Sequence, residues 1–412
     1  MEAAQEHRPV AERDQFWRLE RRQKFRGAPT ACAQARNRAQ FRALQHRLQR
    51  EIARDPVRML GARRVAAALA QRIDPDSHLH DRSGARSRCK RLGDNVEKVW
   101  ARMRERETSA IHSVIRRRVL AGLARNRSPG LHFAGNFAAL RFGDAAPGES
   151  RLAMDVGPHL AHADGTAHVG AVAMLADVAL GVAVRSQLAP ESRLATVALH
   201  LQLTGRALAH QLEARGKFES FLEDARGRQG LARVEVATPG GMGAFGTAAF
   251  MVLPPPPGVE LHPVVRSRPE APLAEEGLEP EERAVLARAD AALASADATR
   301  PFIARFWGFE PERTGDGARC VTPNGMHIAN RVGHVQGGLL MGLAASTARE
   351  ALGPEWTLSA ISAWFVSPGE GESLEAVSTV EHRGRLTAVV GTRIASDGGR
   401  RTLECVTAHA LR

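Results

Sequence analysis

Apolar and polar positions follow different rules in the two parts of the chain. Up to about residue 125 the apolar residues are sparse and out of phase. Asp14–Arg54 is rich in Arg, Gln and Ala and has helical potential but only a weak apolar face. Arg72–Leu92 is polar and interrupted by Pro75 and Gly84, and Val96–Leu123 predicts a further helix that carries Arg116, Arg117 and Arg118. From Leu131 the pattern becomes regular. His132–Phe142 reads as a strand, and Ser150–Val156 alternates as a half-buried strand does. A His- and Gly-rich loop, Gly157–Thr166, leads into an apolar helix from His168 to about Gln187. Four strands follow: Leu194–Leu203, Gln211–Leu222, Gly230–Ala237 and Gly243–Leu253.

Pro254–Gly258 closes this unit, and Glu275–Ala296 predicts a solvated acidic helix. The same order then returns. Phe306–Phe309 and Gly317–Val321 read as strands and Gln336–Leu352 as a helix. Leu358–Val366, Ser373–Glu381, Thr387–Ala395 and Thr402–Ala410 read as strands. A strand, a helix and then antiparallel strands, written twice, predict an α+β fold built from an internal repeat. The expected organisation is a basic, partly helical or disordered extension over 1–125, a first domain over 126–255, a linker with an acidic helix over 256–300, and a second domain over 301–412.

Charge sharpens that division. The net charge of +12 is uneven: residues 1–128 hold 31 Lys and Arg against 14 Asp and Glu, so the remainder is net acidic. Only four of the 57 basic residues are Lys, and the Arg bias runs through the whole chain, which argues against a dedicated nucleic-acid surface. The extension reads as a tail, or as sequence upstream of a start such as Met103, rather than as a binding module. No apolar run reaches the ~20 residues that a membrane helix needs, and Met1–Arg13 is too polar for a secretory signal. Cys32, Cys89, Cys320 and Cys405 are widely separated and form no C-x-x-C pair, which fits a reducing cytoplasm.

The chemistry concentrates at the two helix entries. The first reads His162-Ala-Asp-Gly165-Thr-Ala-His168-Val169-Gly170, with Asp177 farther along the helix. The second reads Asn330-Arg-Val-Gly333-His-Val-Gln336-Gly337-Gly338, with Ala345 at the position of Asp177. A carboxylate inside an apolar helix is costly unless it is paired or functional. Free N–H groups at a helix start, beside glycines that let a ligand approach, suit a developing oxyanion. The set resembles the N-x-x-G-x-x-H-G-G entry and following acid of the PaaI-like hotdog acyl-CoA thioesterases. It is joined downstream by Thr196–Ala207 and Leu358–Gly369, which are similar to that family's T-x-x-L-x-x-x-F-x-R-P-A strand.

The resemblance implies two tandem hotdog domains, each a helix wrapped by an antiparallel sheet, forming a pseudo-dimer within one chain, with further oligomerisation left open. It implies hydrolysis of acyl-CoA thioesters, with coenzyme A as part of the substrate and no other cofactor or metal. In such pairs one unit gives the helix entry and the other the acid and the hydroxyl. Carried over by residue, one composite site is complete: Asp177 and Thr196 with Asn330, Gln336 and Gly337, and Gly338 beside the substrate. Gln336 stands where the family has His. The other site would join His162, His168 and Val169 to Ala345 and Leu358 and lacks the acid, the hydroxyl and the glycine.

Both repeats also carry an Arg-Gly-Arg turn. Arg226 and Arg228 in the first and Arg383 and Arg385 in the second are candidates for the phosphates of coenzyme A, against the plainer reading of solvated hairpins. His159, His162 and His168 lack the partner spacing of a metal site. Two other readings stand beside the hydrolase. Enoyl-thioester hydration would use a His–acid pair, but His168 belongs to the incomplete site. The other is a non-catalytic acyl-CoA sensor whose basic N-terminal region binds nucleic acid or a partner, although no helix-turn-helix is evident there.

Overall fold

The computed structural model describes residues 105–411 apart from 107, 191, 225–226 and 255–270. The helices expected over 14–54 and 72–92, and Arg226, lie outside those residues. The described part is α+β, a single 12-stranded antiparallel sheet curled around two helices, Val169–Arg185 and Gly337–Leu352. They are called here the first and second core helices.

The strands of the first half are β1 (Arg141–Phe142), β2 (Glu149–Asp155), β3 (Arg193–Leu203), β4 (Gln211–Asp224), β5 (Gly227–Thr238) and β6 (Gly241–Leu253). Those of the second half are β7 (Glu312–Thr314), β8 (Gly317–Pro323), β9 (Trp356–Phe365), β10 (Ser373–Arg383), β11 (Thr387–Ser396) and β12 (Arg400–Leu411). The spatial order is β1-β2-β4-β5-β6-β3-β9-β12-β11-β10-β8-β7. Read from either end, the order is the same sequence of equivalent strands. The halves join where β3 pairs antiparallel with β9, from Ala198 opposite Trp364 to Gln202 opposite Ala360. This pairing removes an exposed edge from each half. Alternation built the long strands: in β12 the inward positions Leu403, Cys405, Thr407 and His409 are buried while Val406 is exposed.

Three elements differ from the sequence expectation. The run from His132 folds as a short helix, Phe133–Phe137, capped by the His132 Nδ1, which accepts from the Gly135 N–H at 3.1 Å, with strand only at Arg141–Phe142. Phe302–Trp307 is likewise a helix, closed by Gly308 at φ +76°. Short apolar runs do not reveal their period. Here Phe at i and i+4 in both segments builds one cluster, with Phe137 and Phe306 ring centroids 5.2 Å apart.

The acidic helix is the third. It runs Pro280–Ser295, with a capping box between Glu279 and Glu282, and it buries Val285, Leu286, Ala289 and Leu293 rather than standing in solvent. It packs in the same core as a helix over 108–126, whose Ile115, Val119 and Leu123 are buried at i, i+4, i+8. Charge matches across the pair: Arg116 meets Glu275 and Asp290, and Arg127 meets the buried Glu282 at 2.6 Å. The stretch from 108 therefore belongs to the folded body, and each half consists of a long helix, a short Phe-rich helix, and a sheet around a core helix.

Candidate functional site

Glycines set the distance between the two core helices. A Cβ on Gly338 would lie 2.4 Å from the Met174 nitrogen, and one on Gly342 would lie 2.4 Å from the Gly170 Cα. The first helix therefore runs antiparallel to the second with backbones in contact. One turn beyond Met174 the first helix reaches Asp177, which lands against the start of the second helix at Gln336–Gly338.

Asp177 is 7% exposed and Gln336 4%. The Thr196 hydroxyl donates to Asp177 Oδ1 at 3.1 Å, and the Gln336 Nε2 donates to Oδ2 at 2.5 Å. The Gly338 backbone N–H also serves the carboxylate. Gln336 is at the same time the N-cap of its helix, its Oε1 accepting from Leu339 N at 2.9 Å. One amide thus fixes a helix end in the second half and a carboxylate from the first. Gly337 faces both groups: a Cβ there would sit 3.0 Å from Asp177 Oδ2 and 3.4 Å from Thr196 Oγ1. Thr196 is aimed by a β-bulge, since the β3–β6 register shifts between Thr196 and Ala198 and leaves Val197 unpaired. Burial raises the Asp177 pKa to about 6, against the lowering effect of its hydrogen bonds from Thr196, Gly338 and Gln336.

Of the residues expected at the site, Asp177, Thr196, Gln336, Gly337 and Gly338 come together. Asn330 does something else: its Oδ1 accepts from the Val332 N–H at 3.0 Å and the His334 N–H at 3.1 Å. Among the described residues the groups bonded to Asp177 do not include it, so Asn330 shapes the turn before the helix, where Gly333 takes φ +82°. Neighbouring Arg331 had no signal in the sequence. Its guanidinium donates to the carbonyls of Asn126, Ser128, Gly130 and Leu131, clamping this loop to the first half.

The Arg-Gly-Arg turns separate. Arg228 pairs with Glu223 and lies over the Phe221 ring, 3.4 Å from its centroid. Arg383 donates to the carbonyls of Ala351 and Leu352 at the end of the second core helix, about 22 Å along it from Gly337. Arg385 is exposed on the same hairpin. Arg383 and Arg385 therefore stand apart from the cluster of Asp177, Thr196 and Gln336.

The corresponding arrangement at the other helix start has no carboxylate. Ala345 takes the place of Asp177, Val169 that of Gly337 and Leu358 that of Thr196. His168 caps its helix through Nδ1, accepting from Gly170 N at 3.1 Å, and its Nε2 lies 3.4 Å from the Ser346 hydroxyl. With Nδ1 accepting, Nε2 carries the proton of a neutral ring and cannot act as a base toward Ser346. Burial holds the His168 pKa well below the ordinary value. Trp307 and Phe309 close over this imidazole at 5.4 and 5.9 Å. Among the described residues no three His, Cys, Asp or Glu side chains gather as a metal site, and no helix is long and apolar enough to cross a membrane.

Residues 328–412 match the family model described as the acyl-CoA thioesterase N-terminal domain. That stretch includes Gln336–Gly338 but not Asp177. No curated protein matches the sequence. Among solved structures, a Bacillus halodurans protein crystallised with CoA is 21% identical, over 33% of this chain and 96% of its own, with a TM-score of 0.31. The tesB protein of Mycobacterium avium subs paratuberculosis is 14% identical over 66% of this chain and 96% of its own, at a TM-score of 0.40. The 12:0-ACP thioesterase of Umbellularia californica is 12% identical over 64% and 94%, at 0.39.

Proposed function

We propose that the chain folds as two fused hotdog units, an intrachain pseudo-dimer, and hydrolyses acyl-CoA thioesters at one composite site between them. One observation carries the reading. A buried carboxylate from the first half, Asp177, with its pKa raised to about 6, is held against the helix start of the second half by Gln336 and Gly338. The family match over 328–412 supports the substrate class.

The reaction follows from that geometry. The thioester carbonyl oxygen lies at the Gly337 N–H, where the helix dipole and the unpaired N–H favour negative charge. Asp177 takes a proton from a water held by Thr196. The water oxygen bonds to the carbonyl carbon, the C–S bond breaks, and the thiolate leaves with the proton returned from Asp177. Attack by the carboxylate itself, through an anhydride that water then opens, uses the same contacts. Gln336 positions the carboxylate in either route. No cofactor is required beyond the coenzyme A of the substrate.

The test is thiol release by the full chain from acyl-CoAs of several lengths, beside Asp177→Asn and Thr196→Ala. Loss of a general base lowers turnover by roughly 10²–10⁴-fold. Near-normal turnover in Asp177→Asn would falsify the assignment. Tight acyl-CoA binding with no turnover in the wild type would favour a sensor.

A further inference from the structure

Beyond Asp177 the first core helix continues for two turns, and its faces are unequal. Ala179, Leu180, Ala183 and Val184 are buried, while Val178, Gly181 and Val182 are left half-buried in a stripe that begins beside the carboxylate. Thr196 and Leu194, on the strand facing it, are half-buried as well. Under the stripe lies the buried ring of Phe250, paired with Thr196 across β3 and β6. A Cβ on Gly181 would meet that ring at 3.7 Å.

The second half has the same backbone and opposite chemistry. Its equivalents of Val178, Gly181 and Val182 are Ser346, Arg349 and Glu350, and the equivalent of Phe250, paired with Leu358, is His409. Arg349 and Glu350 are exposed, so the face that is apolar in the first half carries two charged side chains in the second. Among the described residues, this half-buried stripe is apolar only in the half that holds the acid.

We propose that the stripe Val178–Gly181–Val182, floored by Phe250 and walled by Leu194, receives the acyl chain of the substrate, and that Gly181 sets how long a chain fits. The inference rests on the thioesterase reading for its ligand. From Val178 to Arg185 the groove extends about 10 Å, so added methylenes gain contact until Arg185 ends the apolar surface. In the other half the equivalent positions, Ser346, Arg349 and Glu350, offer no apolar stripe.

Gly181→Ala adds a methyl at ordinary contact distance and favours the helix. Gly181→Leu fills the groove. Two readouts are needed on the full chain: kcat/KM for saturated acyl-CoAs from acetyl to hexadecanoyl, and calorimetric binding of non-hydrolysable S-alkyl-CoA thioethers of the same lengths. In the wild type each methylene within the groove should improve binding about threefold to fourfold. In Gly181→Leu that gain should vanish and the long-to-short ratio of kcat/KM should fall at least tenfold, with Gly181→Ala between. Arg349→Ala should leave the ratio where it was. Equal length dependence in wild type and Gly181→Leu overturns the proposal, whether or not hydrolysis occurs. Length-dependent binding that Gly181→Leu abolishes, without hydrolysis by the wild type, keeps the groove and sinks the hydrolase.

Discussion

Asp177 should make the wild-type protein lose stability, relative to its own uncharged variant, as the pH rises to neutral. The carboxyl has a pKa of about 6 in the folded chain, because burial disfavours its charge more than three hydrogen bonds restore it. In the unfolded chain it titrates near the ordinary aspartate value of 3.8. A raised folded pKa means that the native state binds the proton more tightly. The stabilisation this provides is full below about pH 4 and is lost as pH rises through about 6. A gap of about two units corresponds to roughly 3 kcal/mol at 1.36 kcal/mol each.

Asp177→Asn removes the titration and keeps the shape. Its own packing and hydrogen-bonding offset is constant, so the pH dependence of the difference isolates the carboxyl. Urea unfolding of both proteins between pH 3.5 and 8, by linear extrapolation, should show the variant gaining about 3 kcal/mol on the wild type, most of it between pH 4 and 6. A difference independent of pH would refute the desolvated carboxylate. A change of opposite sign would mean that Thr196, Gln336 and Gly338 hold the charge below its ordinary pKa, which makes a poor base. The same group should give wild-type kcat/KM an acid limb near pH 6, since only the carboxylate accepts the proton.

Gln336→Leu removes a donor that lowers the Asp177 pKa, so that limb should move to higher pH while turnover falls; a fall with no shift would make Gln336 a helix cap only. Gly338→Ala puts a methyl against the Met174 backbone and should cost about 1–3 kcal/mol in urea unfolding together with turnover. Glu282→Ala breaks the capping box and strands Arg127 and should cost about 1–3 kcal/mol, read from the urea midpoint, with kcat/KM retained. Ala345→Asp in the Asp177→Asn background should not restore thiol release, because the other helix start has Val169 for glycine and Leu358 for the hydroxyl.

What the sequence revealed depended on range. The core helices and long strands were readable because each buries a face whose period is local. Both predicted core helices lie within two residues of Val169–Arg185 and Gly337–Leu352. The Phe-rich helices were not readable, because a five-residue apolar run has no period. The role of Pro280–Ser295 was hidden because its partner, the helix over 108–126, lies far away in sequence and looked like part of a basic tail. At the site, residue type pointed to Asp177, a charge in an apolar helix, and the aligned entries pointed to Gln336 and Gly337. Contacts made in space were hidden. Asn330 looked like a ligand-facing amide and turns inward to its own loop. Arg383, read from the sequence as a candidate phosphate ligand, bonds the carbonyls at a helix end.

The duplicated architecture explains why all the losses fall on one side. On the proposed reading each composite site takes its acid and hydroxyl from one half and its helix entry from the other. A symmetric dimer of identical units cannot lose one site alone, because any substitution appears in both. In the proposed fused pair the positions are separate: Ala345 and Leu358 can stand at one site while Asp177 and Thr196 stay at the other. The freed positions then take residues that serve packing, as when Trp307 and Phe309 close over His168. The constraint that remains is the backbone contact between the core helices. Gly338 against Met174 and Gly170 against Gly342 are equivalent under the repeat, and both are still close. On the proposed reading the second half is kept because it holds Gln336 and Gly338 against Asp177. Substitutions that push the helices apart at Gly170 or Gly342, far from the carboxylate, should lower turnover by moving the helix start away from it. Gly342→Ala is the direct case, and unchanged kcat in that variant would show that the two ends of the helix pair are not coupled.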